Sequence, residues 1–433
     1  MKAKSIQRTL SALTVFTFFN FSSAQKIIST DIDNFWTAYD SIQKNKNNKS
    51  EILETLFLNK KTDGLRSFME IKKFGKDDYL RVIEKYPQFW NSIRPNTLID
   101  SKKIKTVNHA LRKLGKLYPN NSKGNIYYTI GALKSGGTTN NEDLLLGVEK
   151  ITGNTSTVVS EFENENLRKM FLFTNPSQLQ QVTVHEFIHT FQKDGEVNVL
   201  SKAIKEGSCD FIAELALNKK FTAQYLDYGF KNYETLKSEF KKEMFSKKFE
   251  NWFYNNNANH PDLGYFVGYV ISKKYYENST DKSAAVKNII ELDFNNESKV
   301  LEFTVKSGYF EDKKGAEQIL SEYKELQPKL IKIIEFENGS QNVNANIKKI
   351  RIVFSKPMNE KISINFSKNG KEHFPLKNIL GLDESKTTLT IETSDLQNNT
   401  DYDFYITNRS TKSADGYPFD PEEYKISFKT EKK

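Results

Sequence analysis

The hydrophobic period of this chain switches from helical to alternating at about Pro328, and nothing else in the sequence limits the fold as strongly. Apolar residues three and four apart build a helix that buries one stripe, whereas apolar residues two apart build a strand that buries one face. From Asp31 to about Leu117 the spacing is helical: Phe35, Trp36, Tyr39 and Ile42, then Ile52, Leu53 and Leu56, then Tyr79, Val82, Ile83 and Tyr86. From Asn125 the pattern turns β-branched and aromatic over residues 126–130. It then passes Gly136-Gly137 and an Asn-rich turn and ends in the apolar residues 144–148, which predicts two strands and a loop. Asn175-Pro176-Ser177 supplies a cap and a first-turn proline for a helix carrying Leu179, Val182, Phe187, Ile188 and Phe191. Helical spacing continues over residues 200–217 and 263–276 and up to about Tyr323. Beyond Pro328, Ile350/Ile352/Phe354, Ile362/Ile364/Phe366, Leu389/Ile391, Tyr402/Phe404/Ile406 and Tyr424/Ile426/Phe428 alternate with polar residues, the pattern of an antiparallel sandwich. The expected class is α+β: a mostly helical region with a small sheet over 25–327, helical over about 30–120, and then an all-β sandwich over 328–433.

Residues 1–24 read as an export leader. Lys2, Lys4 and Arg8 precede an apolar run from Leu10 to Phe21, too short to span roughly 30 Å of hydrocarbon, and Ser22-Ser23-Ala24 supplies the small residues a signal peptidase needs. Cleavage after Ala24 leaves a chain starting at Gln25 and lowers the net charge from +9 to +6 by removing three cations. No 18-residue apolar stretch follows, so the expectation is an exported protein with no membrane span. The remaining basic residues are interspersed with acidic ones, a solvated surface that does not call for nucleic acid. A single cysteine, Cys209, excludes an internal disulfide.

The chemistry concentrates in His185-Glu186-Phe187-Ile188-His189. Histidines at i and i+4 share a helix face, close enough for both rings to reach one Zn²⁺. Glu186 beside them can take a proton from a water the metal has acidified and later hand it to a leaving amine. Zinc needs a third protein ligand and an open position. Seventeen residues after His189 stands Glu206, which can close the site as His-His-Glu, and Asp210, four further on, can accept the free ring N–H of a ligating histidine. The alternative is that both are solvated residues near a helix start, where negative charge suits the dipole. Glu214 is a weaker third-ligand candidate. Tyr265, Tyr269 and His260 are candidates for stabilising a developing oxyanion, although aromatic packing would also explain the tyrosines. Gly264 and Gly268 would permit close helix packing. Cys209 reads as a small buried thiol.

HExxH followed by a Glu on a second helix resembles the gluzincin metallopeptidases, and the Glu206/Asp210 spacing resembles their ligand and its supporting carboxylate. Ile130-Gly131, Ser135-Gly136-Gly137-Thr138, the HExxH, Glu206-Gly207-x-x-Asp210-Phe211 and Gly264-Tyr265-x-x-Gly268-Tyr269 together are similar to a bacterial group described as predicted zinc-dependent proteases, over about residues 30–325. The His-to-Glu interval is shorter than in thermolysin-like members. The resemblance implies a zincin-like fold, a Zn²⁺ cofactor, a peptide or protein substrate, and an edge strand that binds it in extended form, for which it offers residues 126–133. Phe354-Ser355-Lys356-Pro357-Met358-Asn359 after an alternating strand resembles the bacterial Ig-like domains of secreted and surface proteins, which implies a surface or extracellular partner and no catalysis. The expected function is thus an exported zinc peptidase whose sandwich has its own core and supplies neither ligand nor base. The rival expectation is an idle metallopeptidase-like surface protein that binds through the sandwich.

Overall fold

The computed structural model describes residues 25–119, 124–173, 175–255, 259–310 and 314–432. The expected leader, residues 1–24, lies outside them. The fold is α+β, with helices before Pro328 and strands after it. No helix among the described residues is long and apolar enough to cross a membrane.

Helices from Thr30–Lys44 to Ser101–Leu117 form the N-terminal part and bury most of the periodic residues read from the sequence, with Phe57 edge to face on Phe35 and Tyr79, and Tyr39 and Trp90 tilted against Phe35. They back a four-stranded sheet of β1 (Ile27–Ile28), β2 (Ile126–Thr129), β3 (Gly137–Asn140) and β4 (Asp143–Gly147) in the order β1-β2-β4-β3. β1, β2 and β4 are parallel, while β3 returns antiparallel on β4 with Gly137 opposite Leu146.

Two expectations are corrected here. The stretch 125–148 holds three strands, because Gly137–Asn140, read as loop, pairs along β4 through a tight turn in which Asn141 takes φ 52°. The strand beginning at Ile126 is interior, paired on both sides and buried at all four positions. β3 is the edge strand, its small half-exposed residues covering one side of β4. The loop leading to β3 carries Ala132 and Leu133 at φ 50° and 61°, a conformation costly for non-glycine residues. It is held by Glu149, whose fully buried carboxylate accepts the Gly131 and Leu133 N–H groups at 2.9 Å.

Three helices matter for the site. The histidine helix, Leu179–His189, lies against the sheet, where Tyr128 OH of β2 meets Thr183 Oγ1 at 2.6 Å. The carboxylate helix, Val199–Leu217, opens with a reciprocal Asn198/Ser201 cap and closes on Asn218 at φ 49°. The tyrosine helix, Leu263–Asn278, crosses it at Gly207 and Gly268. A methyl at Gly268 would stand 1.6 Å from the Ala203 carbonyl oxygen and one at Gly207 2.1 Å from the Tyr269 nitrogen, so only glycine allows this approach.

The C-terminal part is a sandwich of two sheets: β11 (Glu423–Lys429), β10 (Asp401–Thr407) and β7 (Ser363–Asn365) facing β5 (Leu330–Ile333), β6 (Lys349–Phe354), β9 (Thr388–Thr393) and β8 (Leu376–Leu382). Its core of Ile350, Ile352, Phe354, Leu389, Ile391, Phe404, Ile406, Ile426 and Phe428 is separate from the helical core, as the change of period requires. Phe366 departs from the alternation: β7 stops at Asn365, and the ring stands 53% exposed.

Candidate metal centre

The last turn of the histidine helix points both imidazoles toward the carboxylate helix, their ring centres 5.1 Å apart. His185 is buried and its Nδ1 lies 2.7 Å from Asp210 Oδ1, while Tyr225 OH donates to Asp210 Oδ2 at 2.8 Å. His189 Nδ1 lies 2.7 Å from Gln192 Oε1. The Gln192 amide is oriented by its nitrogen, which donates to the Lys205 carbonyl and to Ser208 Oγ, both at 3.0 Å. Its oxygen is therefore an acceptor for a proton on His189 Nδ1, and the neutral form of the ring would keep its lone pair on Nε2. Asp210 imposes the same tautomer on His185.

Both Nε2 atoms face one oxygen of Glu206: Oε2 is 3.4 Å from His189 Nε2 and 3.9 Å from His185 Nε2. Ligand atoms around a tetrahedral zinc with bonds of roughly 2.0–2.2 Å stand about 3.3–3.6 Å apart, and the two distances from Glu206 Oε2 to the histidine Nε2 atoms lie within a few tenths of an ångström of that range. Burial works to raise the Glu206 pKa, but protonated His189, through its hydrogen bond and charge, and protonated His185 outweigh it and bring the carboxyl to about 2. In that state both rings are cations that pair with Glu206, and a metal ion held by the neutral rings would take the place of their charge.

Cys209 also lies close, its sulfur within 4.8 Å of donor atoms of both histidines. It approaches His189 on the Nδ1 side, at 3.6 Å, and points back to the Lys205 carbonyl. Burial pushes its thiol pKa up, and its buried position agrees with the reading of a small packed thiol.

Glu186 faces the opening between two cavities. One, of 490 Å³, is lined by His185, Glu186, Val182, Met170, Phe221 and Tyr265, with His260 at its side. The other, of 510 Å³, runs along Gly136, Gly137, Thr138 and Thr139 of the edge-strand segment, with Glu186, His189 and Glu206. A methyl added at Gly137 would come within 3.3 Å of the Glu186 carboxylate, so the edge strand passes directly beside it.

The other candidates separate. Tyr265 lies in both cavities, its ring 6.2 Å from that of His185, and burial pushes its hydroxyl well above the ordinary phenol range. It is a neutral donor at the site. Tyr269, one turn further along the tyrosine helix, is not: its hydroxyl donates to Glu214 of the carboxylate helix at 2.8 Å, and the ring is buried against Phe211. Four residues of helix turn it about 40° from Tyr265 and carry it roughly 6 Å along the axis. Glu214 is excluded as a ligand by the same contact and by the Phe221 N–H it accepts at 2.9 Å. His260 stacks on Tyr228 with ring centres 3.6 Å apart, at the cavity wall and outside the donor cluster.

Gln192, Tyr225 and Tyr254 were not foreseen. Gln192 had a signal, since it stands three residues beyond His189 and can fold back onto it. Tyr254, 64% exposed and lining the second cavity at φ 54°, comes from a turn with no spacing to reveal it.

Residues 326–430 match the family model of a bacterial Ig-like domain. The sandwich is that Ig-like domain, in agreement with its alternating strands and two sheets. No curated protein matches the chain significantly. Similar solved structures include a surface layer protein, SbsC, domains 1–6, at 11% identity and a TM-score of 0.20, covering 93% of this chain and 45% of that one. The N-terminal part of the bacterial S-layer protein SbsC gives 12% identity and a TM-score of 0.18, covering 92% and 76%. The chain spans less than half the length of the first of these.

Proposed function

We propose that residues 25–327 form a zincin-like metallopeptidase in which His185, His189 and Glu206 hold one Zn²⁺ and Glu186 acts as general base and then general acid. The observation that carries the reading is the convergence of two Nε2 atoms on one Glu206 oxygen while each Nδ1 is committed to its own acceptor. Acceptors placed on Nδ1 in this way are what aim the Nε2 atoms of ligating histidines at a metal. Zinc bound there would acidify a water and polarise a carbonyl. Glu186, unencumbered at the meeting of the two cavities, takes the water's proton and returns it to the leaving amine. The protonated Tyr265 hydroxyl is available to the carbonyl oxygen as it gains charge. The β3 edge offers its backbone to an extended peptide, which joins the sheet as an added strand. The same reading takes residues 1–24 as a signal peptide and the protein as exported, with the Ig-like domain available to a surface partner.

The test is a peptide-library digest with the full mature chain, with and without chelator. Cleavage that chelation abolishes, zinc restores and Glu186→Gln lacks is the expected result. Absence of cleavage of any peptide by zinc-loaded protein would support an idle, partner-binding protein instead.

A further inference from the structure

Glu243 ends the helix Tyr233–Glu243, and its carboxylate is divided between the two parts of the chain. One oxygen accepts Lys412 Nζ of the Ig-like domain; the other accepts Asn251 Nδ2 at 2.9 Å and Trp252 Nε1 at 3.0 Å. The side chain is only 12% exposed, so its charge depends on these partners and not on water. Lys412 is itself fixed from behind: its carbonyl accepts the Asn359 N–H at 2.9 Å, and it bridges to Pro418. Beside it, Lys248 Nζ donates to the Asn408 carbonyl, a second tie across the same boundary.

The segment 244–254, anchored by Glu243, touches every helix that builds the metal site except the histidine helix. The carbonyls of Met244 and Ser246 accept the N–H groups of Leu200 and Val199 at 2.8 and 2.9 Å, which closes the first turn of the carboxylate helix two turns ahead of Glu206. The Trp252 carbonyl accepts the Gly264 N–H at 3.0 Å in the first turn of the tyrosine helix. The Phe253 ring occupies the space a side chain at Gly264 would need, 2.2 Å from an added methyl. Tyr254 follows as a wall of the cavity that holds Glu186 and Glu206.

We propose that the Ig-like domain is a positioning element of the metal site, with Lys412, through Glu243, holding segment 244–254 so that Tyr254 and the starts of both helices keep their places. The proposal rests on the peptidase reading only for its catalytic readout. The two apolar cores are separate clusters, and the junction consists of polar contacts together with the Tyr323–Tyr417 ring pair, so loss of the Lys412 contact acts on geometry more than on whether either part folds.

The experiment uses the full mature chain carrying Lys412→Met, which keeps the stem and removes the charge. Lys412→Arg and Glu243→Gln serve as companions. Hydrogen exchange is followed at residues 249–255, and kcat/KM is measured on a library-selected peptide. Lys412→Met should speed exchange there severalfold while the Ig-like core keeps its protection, and should lower kcat/KM about 10-fold, short of the ~10²-fold that a 1 Å misplacement can produce. Zinc content should stay at the parent level. Lys412→Arg should restore both readouts. Glu243→Gln should reproduce the loss with no further fall when combined with Lys412→Met, the coupling expected of one interaction. If the parent hydrolyses no peptide, the peptidase reading fails and exchange alone decides this proposal. Unchanged exchange at 249–255 in both Lys412→Met and Glu243→Gln overturns it.

Discussion

At the scale of single residues, the two imidazoles are handled alike by different means. A buried carboxylate fixes His185, and an amide that a backbone carbonyl has already oriented fixes His189. Supporting groups of this kind govern metal affinity by roughly 10–100-fold, so Asp210→Asn should weaken zinc binding within that range in a competition titration, with the fold intact by circular dichroism. Glu186 faces the reacting space and no ligand position, so Glu186→Gln should keep zinc and lose at least about 10²-fold in hydrolysis. Loss of zinc in that variant would mean that Glu186 is a ligand and that the assignment of roles is wrong. That His185 and His189 face the same way was legible because i, i+4 spacing on a helix fixes geometry almost by itself. Tyr265 and Tyr269 were not separable in the same way. Both lie on the helix side that meets the carboxylate helix, and only the height of the crossing, set by Gly207 and Gly268, directs one to the site and the other to Glu214.

At the scale of elements, the site depends on one close helix crossing and one edge strand. Gly268→Ala forces a methyl onto the Ala203 carbonyl, where backbone and not a flexible side chain must move. A loss of about 3 kcal/mol in denaturant unfolding, accompanied by weaker zinc binding, is the expected outcome. The edge strand is braced from the loop before it. Glu149→Ala would strand buried N–H groups at roughly 1–3 kcal/mol each, so a loss of about 3 kcal/mol is expected in the same measurement. A change below 1 kcal/mol would show that the loop holds its left-handed residues without that carboxylate. The apolar run Ile126-Tyr127-Tyr128 without alternation is the pattern of a strand covered on both faces, but its interior position was not legible, because pairing with β1 and β4 sets that. Nor was β3 legible, because Gly-Thr-Thr-Asn has loop composition and becomes a strand only by pairing with β4. In the sandwich, alternation located the inward-facing residues of β6, β9, β10 and β11, while β5 and the bulged β8 carried too weak a pattern.

At the scale of the molecule, one change of period separates two cores, and charged contacts, hydrogen bonds and the Tyr323–Tyr417 ring pair join them. Glu243 adds a pH dependence to that junction. Burial works to raise its pKa, but hydrogen bonds from Lys412, Asn251 and Trp252 together bring it below the ordinary 4.5, with the Lys248 charge nearby. A group whose folded pKa is depressed contributes stability that is present above its unfolded value and is lost as pH falls through the folded one. The junction should therefore hold above about pH 4.5 and loosen below it. Trp252 emission should shift over that interval, and the shift should be absent in Glu243→Gln. The whole account turns on whether this helical region carries a metal, and elemental analysis of the purified mature chain after equilibration with zinc at neutral pH answers that most directly. One zinc per chain, reduced to background in His185→Ala and in His189→Ala, is the predicted result; a chain that takes up no zinc, or a His185→Ala variant that keeps a full equivalent, would contradict it.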